Sequence, residues 1–334
     1  MRKGVCESVG RVTSILFVHN HLAPFVVIDR DLLAERYAVR EWHQRSRLVN
    51  LPALARAVRQ SDLVFGWFAS WHTFWPVALA RLFHKPSIVV VGGYDVANCP
   101  DIGYGHQRGG LRKWVSRWIM RHATSLVTNS HYSARELEQN VGAPLPPMRV
   151  IHHGVPDPFG SLPSGARPPR ALTVGNVDRS NLLRKGHASF VRAAALLPDV
   201  PFVLAGAWRD GAIDHLRSLA TLNVTFTGWI EAAALQDCYR QASIYVQASQ
   251  HEGFGMTVAE AMLAGCIPVV TRAGSLPEVV SECGVYVEQT PESIAAGVQT
   301  AQASPPAARA QARDCILTQF PLADQGLFGN MDEL

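Results

Sequence analysis

Short apolar runs alternate with segments of helical periodicity along the chain. In the first half, apolar runs typical of strands buried on both faces cover residues 14–18, 62–67, 87–91, 125–128 and 149–151. Between them, apolar positions recur at helical spacing in residues 31–36, 51–60, 71–83, 111–122 and 133–140. Strand and helix in alternation predict a parallel sheet with helices on both faces.

The same alternation restarts after residues 156–170, a segment dense in proline, glycine and serine. We interpret this segment as the boundary between two domains. Beyond it, the predicted strands are residues 171–174, 201–205, 224–227, 244–247, 267–271 and 285–287. The predicted helices are residues 187–197, 212–219, 232–241, 257–264, 276–283 and 291–302.

This pattern predicts an α/β fold with two Rossmann-like βαβ domains that face each other across a cleft. The first domain is expected at residues 1–157, the linker at 158–170, the second domain at 171–318 and a weakly structured tail at 319–334. Ligands of parallel sheets bind beyond the carboxyl ends of the strands, so functional side chains are expected there.

Composition narrows the class of protein. With 334 residues, 48% hydrophobic and 17% charged, the chain can bury two cores and is unlike a disordered protein. The six cysteines are scattered without a C-x-x-C pair, which argues against a disulfide framework or zinc site and favours a reducing compartment. The net charge of +4 permits anionic ligands without demanding them.

No segment predicts insertion into a membrane. The apolar run at residues 15–18, behind a basic N terminus, is too short for a secretory signal. Residues 63–83 are strongly apolar, but His72, Pro76 and Arg81 interrupt them. This favours a buried strand, a turn and a helix over a membrane span. The protein is therefore expected in the cytoplasm.

Residues 249–278 hold the strongest functional signal. Glu252 precedes a turn of Gly253, Phe254 and Gly255, and Glu260 lies in the helix that follows. A glycine-bearing loop that opens a helix leaves backbone N–H groups unpaired, and the helix dipole adds positive charge, so the place suits phosphate. Two carboxylates would repel a phosphate unless they bind something else. Hydroxyl groups of a sugar or ribose are the natural partners.

The predicted strand at residues 171–174 leads into a loop with three basic residues, Arg179, Arg184 and Lys185. Their charges can bind a diphosphate, or the loop can be an ordinary solvated one. The helix entrance at residues 253–256 belongs to the same domain, and this combination favours a diphosphate site.

Two further turns follow predicted strands. At residues 228–230, a Gly-Trp-Ile turn can contact a nucleobase through its backbone, or Trp229 can pack in the core. At residues 92–95, paired glycines allow a ligand to approach the backbone, and Asp95 is expected to project into the cleft. The alternative for residues 92–95 is a plain turn from strand to loop.

The predicted helix near residues 111–121 combines basic and apolar residues. The basic residues are Arg108, Arg112, Lys113, Arg117 and Arg121, interleaved with Leu111, Trp114, Val115 and Trp118. A basic amphipathic helix with tryptophans can lie on an anionic membrane surface. The alternative is a core-packed helix with one solvated face.

The stretch 249–278 resembles the signature of the retaining glycosyltransferases of family 4 (glycosyl transferases group 1), which adopt the GT-B fold. The matching residues are Glu252 and Glu260 at Glu-x7-Glu spacing, the Gly-Phe-Gly between them, then Ala261, Met262, Ala264, Gly265, Pro268, Val269, Val270, Gly274, Pro277 and Glu278. The resemblance continues through residues 174–175, 185–186, 204–206 and 226–228, and so covers most of residues 171–290. The first domain matches only loosely, at residues 91–95 and 152–155.

The resemblance implies a role for each part of the second domain. Glu252 would contact hydroxyls of the donor sugar, Glu260 the ribose, and Lys185 would neutralise the departing diphosphate. Backbone amides of Phe254, Gly255 and Met256 would meet the sugar and phosphate, and residues Gly228, Trp229 and Ile230 the base. The predicted binding set also includes Gly253, Thr257, Gly175, Asn176 and Gly93; the predicted catalytic set is Glu252, Lys185, Arg184 and Asp95.

The implied activity is transfer of a sugar, with retention, from a nucleotide-diphosphate sugar to a hydroxyl acceptor in glycan, polysaccharide or glycolipid synthesis. No nucleic acid partner is expected, and residues 111–121 leave peripheral contact with the inner face of a membrane open. Two alternatives are a non-catalytic nucleotide-sugar-binding module and a GT-B sugar-nucleotide epimerase.

The family needs no metal and no cofactor, and the metal motifs of this chain are weak. Asp29-Arg30-Asp31 matches the Asp-x-Asp signature of single-domain sugar transferases, but it stands at the start of the predicted helix 31–36, where an acidic cap is common. His152 and His153 are adjacent, and adjacent side chains in an extended strand point to opposite faces. We therefore expect no metal site.

The chain departs from the family in two places. Asn176 stands where the family usually has an arginine, and either Arg184 or Arg179 is left to supply that charge, with Arg184 favoured because it adjoins Lys185. The loop at residues 19–25 lacks the usual glycines. Beyond Gly93 and Asp95, contacts from the first domain to the donor sugar and the acceptor are therefore not predicted.

Overall fold

The computed structural model describes residues 12–162 and 167–322 as two parallel β-sheets covered by helices. The elements of the first half are β1 (Ser14–His19), α1 (Pro24–Ala34), β2 (Ala38–His43), α2 (Leu51–Gln60), β3 (Leu63–Trp67), α3 (Trp71–Leu82), β4 (Ser87–Val91), α4 (Gly110–His122), β5 (Ser125–Thr128), α5 (His131–Val141) and β6 (Met148–Val150).

The second half repeats the alternation. Its elements are β7 (Ala171–Val174), α6 (Arg179–Arg184), α7 (His187–Ala194), β8 (Phe202–Ala205), α8 (Ala212–Leu219), β9 (Val224–Gly228), α9 (Ala232–Gln241), β10 (Ile244–Gln247), α10 (Met256–Leu263), β11 (Ile267–Val270), α11 (Leu276–Val280), β12 (Val285–Tyr286), α12 (Pro291–Gln302) and α13 (Ala307–Gln319).

Each sheet has six strands and reverses its direction of growth once. The strand order is β2-β1-β3-β4-β5-β6 in the first sheet and β12-β11-β10-β7-β8-β9 in the second. All neighbouring strands are parallel. The order reverses between β1 and β3 and between β7 and β10. A crevice opens at such points beyond the carboxyl ends of the strands.

Both faces of each sheet are buried, as the apolar runs predict. In the first sheet, Phe17 and Phe65 stack at 5.5 Å on the face covered by α1, while Leu16 and Val64 point to the opposite face. In the second sheet, one face packs against α7 and α12 and the other against α10 and α13. The expected α/β fold is confirmed.

The predicted strands are all present, with small shifts at their ends, but four elements differ from the sequence pattern. β2 was not predicted, because this edge strand is largely exposed and has no apolar run. α6 was predicted as loop, and α13 follows the last predicted helix. The predicted linker and the predicted tail lie partly outside the described residues.

The fourth difference concerns α1, which begins at Pro24 rather than at residue 31. Proline at the first helical position is a start signal that the pattern analysis overlooked. Asp29 therefore lies inside the helix, where it is buried and accepts a hydrogen bond from the indole Nε1–H of Trp67 at 3.0 Å. The prediction that an acidic residue of this motif caps the helix was wrong.

Within the described residues, no helix has both the length and the apolar character needed to cross a membrane.

Gly186 links α6 to α7 and thereby places Lys185. Its φ is +71°, and a Cβ there would lie 2.3 Å from the carbonyl oxygen of Ala248. We expect Gly186→Ala to cost more than the roughly 1–2 kcal/mol of a left-handed residue alone, because a backbone oxygen cannot move aside. Urea unfolding measures this loss. Gly160→Ala is the control, since its φ is +61° with nothing within 4 Å of the added Cβ; equal losses would contradict the prediction.

Candidate functional site

The loops that follow β7 and β10 meet where the second sheet reverses its order. Beside them is a cavity of about 380 Å³. Its lining residues are Val174, Gly175, Asn176, Asn181, Arg184, Lys185, Ala205, Gly206, Ala207, Trp229, Ile230, Leu235 and Thr257. The cavity lies at the carboxyl ends of the strands, where parallel sheets bind ligands.

A second cavity, of about 280 Å³, lies between the two domains. Its lining residues are Phe25, Trp67, Phe68, Gly92, Gly93, Tyr94, Tyr104, Asn129 and His153 from the first domain and Lys185, Glu252, Gly253, Phe254, Gly255, Met256 and Thr257 from the second. Lys185 and Thr257 line both cavities. Every predicted site residue except Asp95, Glu260 and Gly228 lines one of the two.

Glu252 and Lys185 form the centre of this site. The ammonium of Lys185 lies 3.0 Å from Oε1 of Glu252, and the two side chains are only 16% and 12% exposed. The same oxygen accepts hydrogen bonds from the side chains of Gln247 at 2.6 Å and Ser249 at 3.0 Å. Burial opposes the charge, but Lys185, Arg184 and the hydrogen bonds outweigh it and lower the pKa of Glu252 to about 2. Glu252 is therefore a fixed anion at neutral pH.

The turn at residues 253–255 directs the start of α10 towards the site. Gly255 has φ +99° and ψ +46°, and no side chain caps the helix. Gly255, Met256 and Thr257 line the interdomain cavity. The unpaired N–H groups of the first helical turn, together with the helix dipole, favour a negative group there.

Glu260 lies one turn further along α10, away from the residues that line the cavities. Its carboxylate accepts a hydrogen bond from the Tyr239 hydroxyl at 2.9 Å. Burial raises the pKa of Glu260, and this hydrogen bond only partly offsets the effect. Glu260 itself lines neither cavity, whereas Thr257, three residues earlier, lines both. The ribose role of Glu260 therefore stays a prediction.

The turn at the end of β9 borders the first cavity. Trp229 is 70% exposed, and Trp229 and Ile230 both line the cavity. The interpretation that Trp229 packs in the core is therefore wrong. Gly228 lies next to Trp208, whose ring atoms would be 3.6 Å from an added Cβ. This turn leaves an aromatic surface available to a flat ligand.

Arg184 and Arg179 occupy different places. Arg184 lines the first cavity, its guanidinium donates to Oδ1 of Asn181 at 2.6 Å, and it lies 4.7 Å from the ring centre of Tyr104. Arg179, at the start of α6, is exposed. Asn176 lines the same cavity, and its carbonyl accepts from the Asn181 amide at 2.8 Å.

Asp95 does not project into the cleft, contrary to the sequence prediction. It is 1% exposed, and its carboxylate accepts backbone N–H groups of Ala69 at 2.9 Å and Gly92 at 2.9 Å. Burial raises the pKa of Asp95 to about 6, and these backbone hydrogen bonds counteract it only in part. Asp95 thus holds the loops after β3 and β4 together and lines neither of the two cavities described above.

The first domain contributes residues that the sequence analysis did not select. Asn129 follows β5, and its amide lies 3.3 Å from Nε2 of His153, which follows β6. Burial lowers the pKa of His153 to about 3, so its ring is neutral at physiological pH. At Gly92, an added Cβ would lie 2.4 Å from the amide oxygen of Asn129. Asn129 and His153 could have been selected from the sequence, because both follow closely after predicted strands.

The first turn of α5 binds the second domain directly. Glu278 accepts the backbone N–H groups of His131 at 2.9 Å and Tyr132 at 2.6 Å. The hydroxyl of Ser130 donates to the carbonyl of Gly253 at 2.7 Å. These contacts connect the turn beside Glu252 to the opposite domain.

One turn further along α5, three side chains come close enough to share an ion. Ligand atoms of Cys99, Glu136 and His251 all lie within 4.8 Å of one another. His251 Nε2 and Glu136 Oε2 are 2.9 Å apart, which makes them a further contact between the domains. This cluster was not predicted, because its members are widely separated along the chain.

The basic residues of α4 do not form one uniform surface. The guanidinium of Arg117 donates to Gln107 at 3.0 Å and to the carbonyl of Asn140, and Arg121 donates to the carbonyl of Val141 at 2.7 Å. Leu111 and Trp114 are 75% and 56% exposed. Any surface contact through α4 therefore involves its first turns.

Removing the Glu278 carboxylate should weaken the contact between the domains. We expect Glu278→Ala to lower the free energy of unfolding by about 1–3 kcal/mol, because two backbone N–H groups lose their acceptor. Calorimetry should show a lower transition temperature. Glu282→Ala, an exposed position nearby, is the control. Equal stability of wild type and Glu278→Ala would contradict this assignment.

The contribution of Glu278 should also depend on pH. Burial opposes its charge, but His152 and the two backbone N–H groups prevail, so its pKa lies below the ordinary value of 4.5. The stabilisation is complete above about pH 4.5 and is lost as the pH falls through the lower folded-state pKa. The stability difference between wild type and Glu278→Gln should shrink below that pH. A difference that grows on acidification would refute the assignment.

Two family models match the chain and together cover most of it. The model described as Glycosyltransferase Family 4 matches residues 16–157, and the model described as Glycosyl transferases group 1 matches residues 168–303. A curated relative is a glycogen synthase of Mycobacterium tuberculosis, 27% identical over 252 residues, which are 70% of this chain and 61% of that protein. The chain thus spans less than two thirds of that relative.

Solved structures share the arrangement of both domains. A sucrose-phosphate synthase from Thermosynechococcus elongatus superposes with a TM-score of 0.75 at 18% identity, over 94% of this chain and 96% of its own. Anabaena HepE, in complex with UDP and glucose, also has a TM-score of 0.75, at 16% identity, over 97% of this chain and 100% of its own. The chain has the GT-B fold and belongs to the family 4, group 1 glycosyltransferases.

Proposed function

We propose that the protein transfers a sugar from a nucleotide-diphosphate sugar to an acceptor hydroxyl, with retention of configuration. The observation that carries this proposal is the Lys185–Glu252 pair, 3.0 Å apart beside the uncapped start of α10. It supplies a cation and helix N–H groups for a diphosphate and a permanent anion for sugar hydroxyls.

The donor would lie across the two adjoining cavities. The diphosphate would bind near Lys185, Arg184 and the first turn of α10. The base would rest against Trp229 and Ile230 in the 380 Å³ cavity, and the sugar would extend towards Gly93 in the interdomain cavity. The complex of HepE with UDP and glucose supports a donor of this chemical class.

Binding of the donor would change the partner of Lys185. Without ligand its ammonium is 3.0 Å from Glu252; a diphosphate, with more negative charge, would attract it away. Glu252 would then have an oxygen free to accept from sugar hydroxyls, while Gln247 and Ser249 hold the carboxylate in place. Because the pKa of Glu252 is low, its carboxylate would stay ionised and accept hydrogen bonds before and after the donor binds.

The transfer would separate charge, which the site stabilises. The bond from the anomeric carbon to the phosphate oxygen breaks, and its electron pair leaves with the diphosphate. The acceptor oxygen attacks the same face of the sugar, and its proton passes to the departing phosphate oxygen. Lys185, Arg184 and the α10 N–H groups stabilise the developing negative charge, and such preorganised groups contribute about 3–4 kcal/mol each.

In this proposal Lys185 and Arg184 neutralise the diphosphate, so the reaction needs no metal ion. We also propose that the acceptor belongs to a glycan, polysaccharide or glycolipid, in the cytoplasm or at the inner face of a membrane. The exposed Leu111 and Trp114 of α4 support the membrane location.

Loss of the charge of either Lys185 or Glu252 should greatly slow turnover. We expect Lys185→Ala and Glu252→Gln each to lower the rate of nucleoside diphosphate release by about 10²–10³. The measurement is release from a panel of nucleotide sugars with acceptor mixtures, preceded by a thermal-shift screen to choose the donor. Lys85→Ala is the matched control, because Lys85 lies between α3 and β4 and lines neither cavity.

Unchanged release in both variants would contradict the proposal. A donor isomerised without nucleotide release would indicate an epimerase, and tight binding without any turnover would indicate a binding module.

Two further readouts test the finer parts of the proposal. We expect full turnover after EDTA treatment, because fixed cations take the part of a metal. We expect the product to have the same anomeric configuration as the donor, as measured by the one-bond C–H coupling in NMR. Loss of activity restored by a divalent cation, or an inverted product, would refute the corresponding part.

A further inference from the structure

The first domain contains a third cavity, of about 530 Å³. Its walls include Arg47, Ser70, Trp71, His106, Leu111 and Arg112. This volume is typical of small-molecule sites, which range over roughly 300–1,000 Å³. The proposed donor chemistry uses none of these residues.

The cavity lies where a parallel sheet binds ligands. Arg47 follows β2, Ser70 follows β3 and His106 lies between β4 and α4, so the walls come from connections that follow the carboxyl ends of three strands of the first sheet. The ring of His106 is 4.8 Å from the ring of Tyr94, which lines the interdomain cavity. The third cavity therefore adjoins the place proposed for the donor sugar.

The walls of the cavity are basic. Among the described residues that line it, two are arginines and none is acidic. The ion pairs found in residues 12–162 and 167–322 do not involve Arg47 or Arg112. A guanidinium presents a planar fork that binds carboxylate or phosphate in a bidentate way. The cavity thus offers two such forks to one ligand.

His106 adds a polar group to this wall. Its Nδ1 is buried and has no hydrogen-bond partner within the part of the chain that the structure describes. Burial, followed by the charge of Arg112, lowers the pKa of His106. A neutral imidazole can donate or accept a hydrogen bond, so this ring suits a hydroxyl group better than a cation. Trp71 supplies an apolar part of the cavity wall.

We propose that this cavity binds the acceptor, an inference that rests on the proposed function. The acceptor would carry an anionic group, phosphate or carboxylate, held by Arg47 and Arg112. His106 would hydrogen-bond a hydroxyl of the same molecule. The reacting hydroxyl would then reach past Tyr94 towards the donor sugar.

The anionic group can belong to a soluble saccharide or to a lipid headgroup. Leu111 lies in the cavity wall and is 75% exposed, and Trp114 on the same helix is 56% exposed. This apolar rim beside Arg112 suits the lipid form, whereas the guanidinium pair suits both forms.

The first test uses inorganic phosphate as the probe. The full chain is saturated with a nucleoside diphosphate, so that the donor site is filled, and phosphate is titrated by calorimetry. We expect the Arg47→Gln/Arg112→Gln double variant to bind phosphate about 10- to 100-fold more weakly than wild type. Arg56→Gln, an exposed arginine of the same domain, should match wild type. Equal affinity in the double variant, or no phosphate binding by wild type, would overturn the inference.

The second test compares acceptors. Neutral monosaccharides and their phosphates are assayed as matched pairs, and the phosphates should have at least tenfold higher kcat/KM, a preference that the double variant loses through KM. Vesicles of phosphatidylcholine, with and without phosphatidic acid, distinguish the sources. Sedimentation with acidic vesicles that the double variant loses indicates the lipid form, and phosphate preference without sedimentation indicates the soluble form.

The failure of this inference can be told apart from failure of the proposed function. Nucleoside diphosphate binding is measured in the same samples. If wild type binds no nucleotide sugar and releases no nucleoside diphosphate, the proposed function fails. If donor binding and release are intact but neutral and anionic acceptors react equally, the assignment of the third cavity fails.

Discussion

The contact between Lys185 and Glu252, 3.0 Å long, joins the two loops around which the second domain is organised. The strand order brings these loops together, because β7 and β10 are neighbours only at the point where the sheet reverses. A buried charge is costly without a partner, so each side chain requires the other while no ligand is bound. The pair therefore stabilises the site without ligand, and in the proposed function a diphosphate would enter it by competing for Lys185.

The geometry of this pair also depends on the first domain. Glu252 is followed by Gly253, whose carbonyl accepts from Ser130 at the start of α5, and preceded by His251, which lies 2.9 Å from Glu136 on the same helix. Glu278 binds the first turn of α5 from the second domain. Contacts with the first half of α5 thus fix the loop on both sides of Glu252. A motion that separates the domains would release this loop as well as open the cleft.

The fold, and the grouping of the selected second-domain residues around two adjoining cavities, could be predicted because both depend on local sequence. Strands buried on both faces give continuous apolar runs, and the Glu252–Glu260 motif sets its own spacing along one loop and helix. Prediction failed where a side chain binds a distant backbone group. Asp95 accepts hydrogen bonds from the loops after β3 and β4, and Arg117 donates to a carbonyl of α5. Neither side chain is therefore available for the role that its charge suggested. The edge strand β2 was not predicted, because a largely exposed strand needs no apolar run.

The two domains treat their positive charges differently, and the difference follows from burial. Lys185 is 16% exposed, so its ammonium needs Glu252 as a partner. A ligand could bind this ammonium only by replacing Glu252. Arg47 and Arg112 are exposed, where water screens them, so they can remain unpaired at little cost. A ligand that fills the cavity between them would exclude that water and strengthen each charge-assisted hydrogen bond. Under the two proposals, the buried pair would therefore select one donor chemistry. The solvated arginines would require only an anionic group of an acceptor that can otherwise vary.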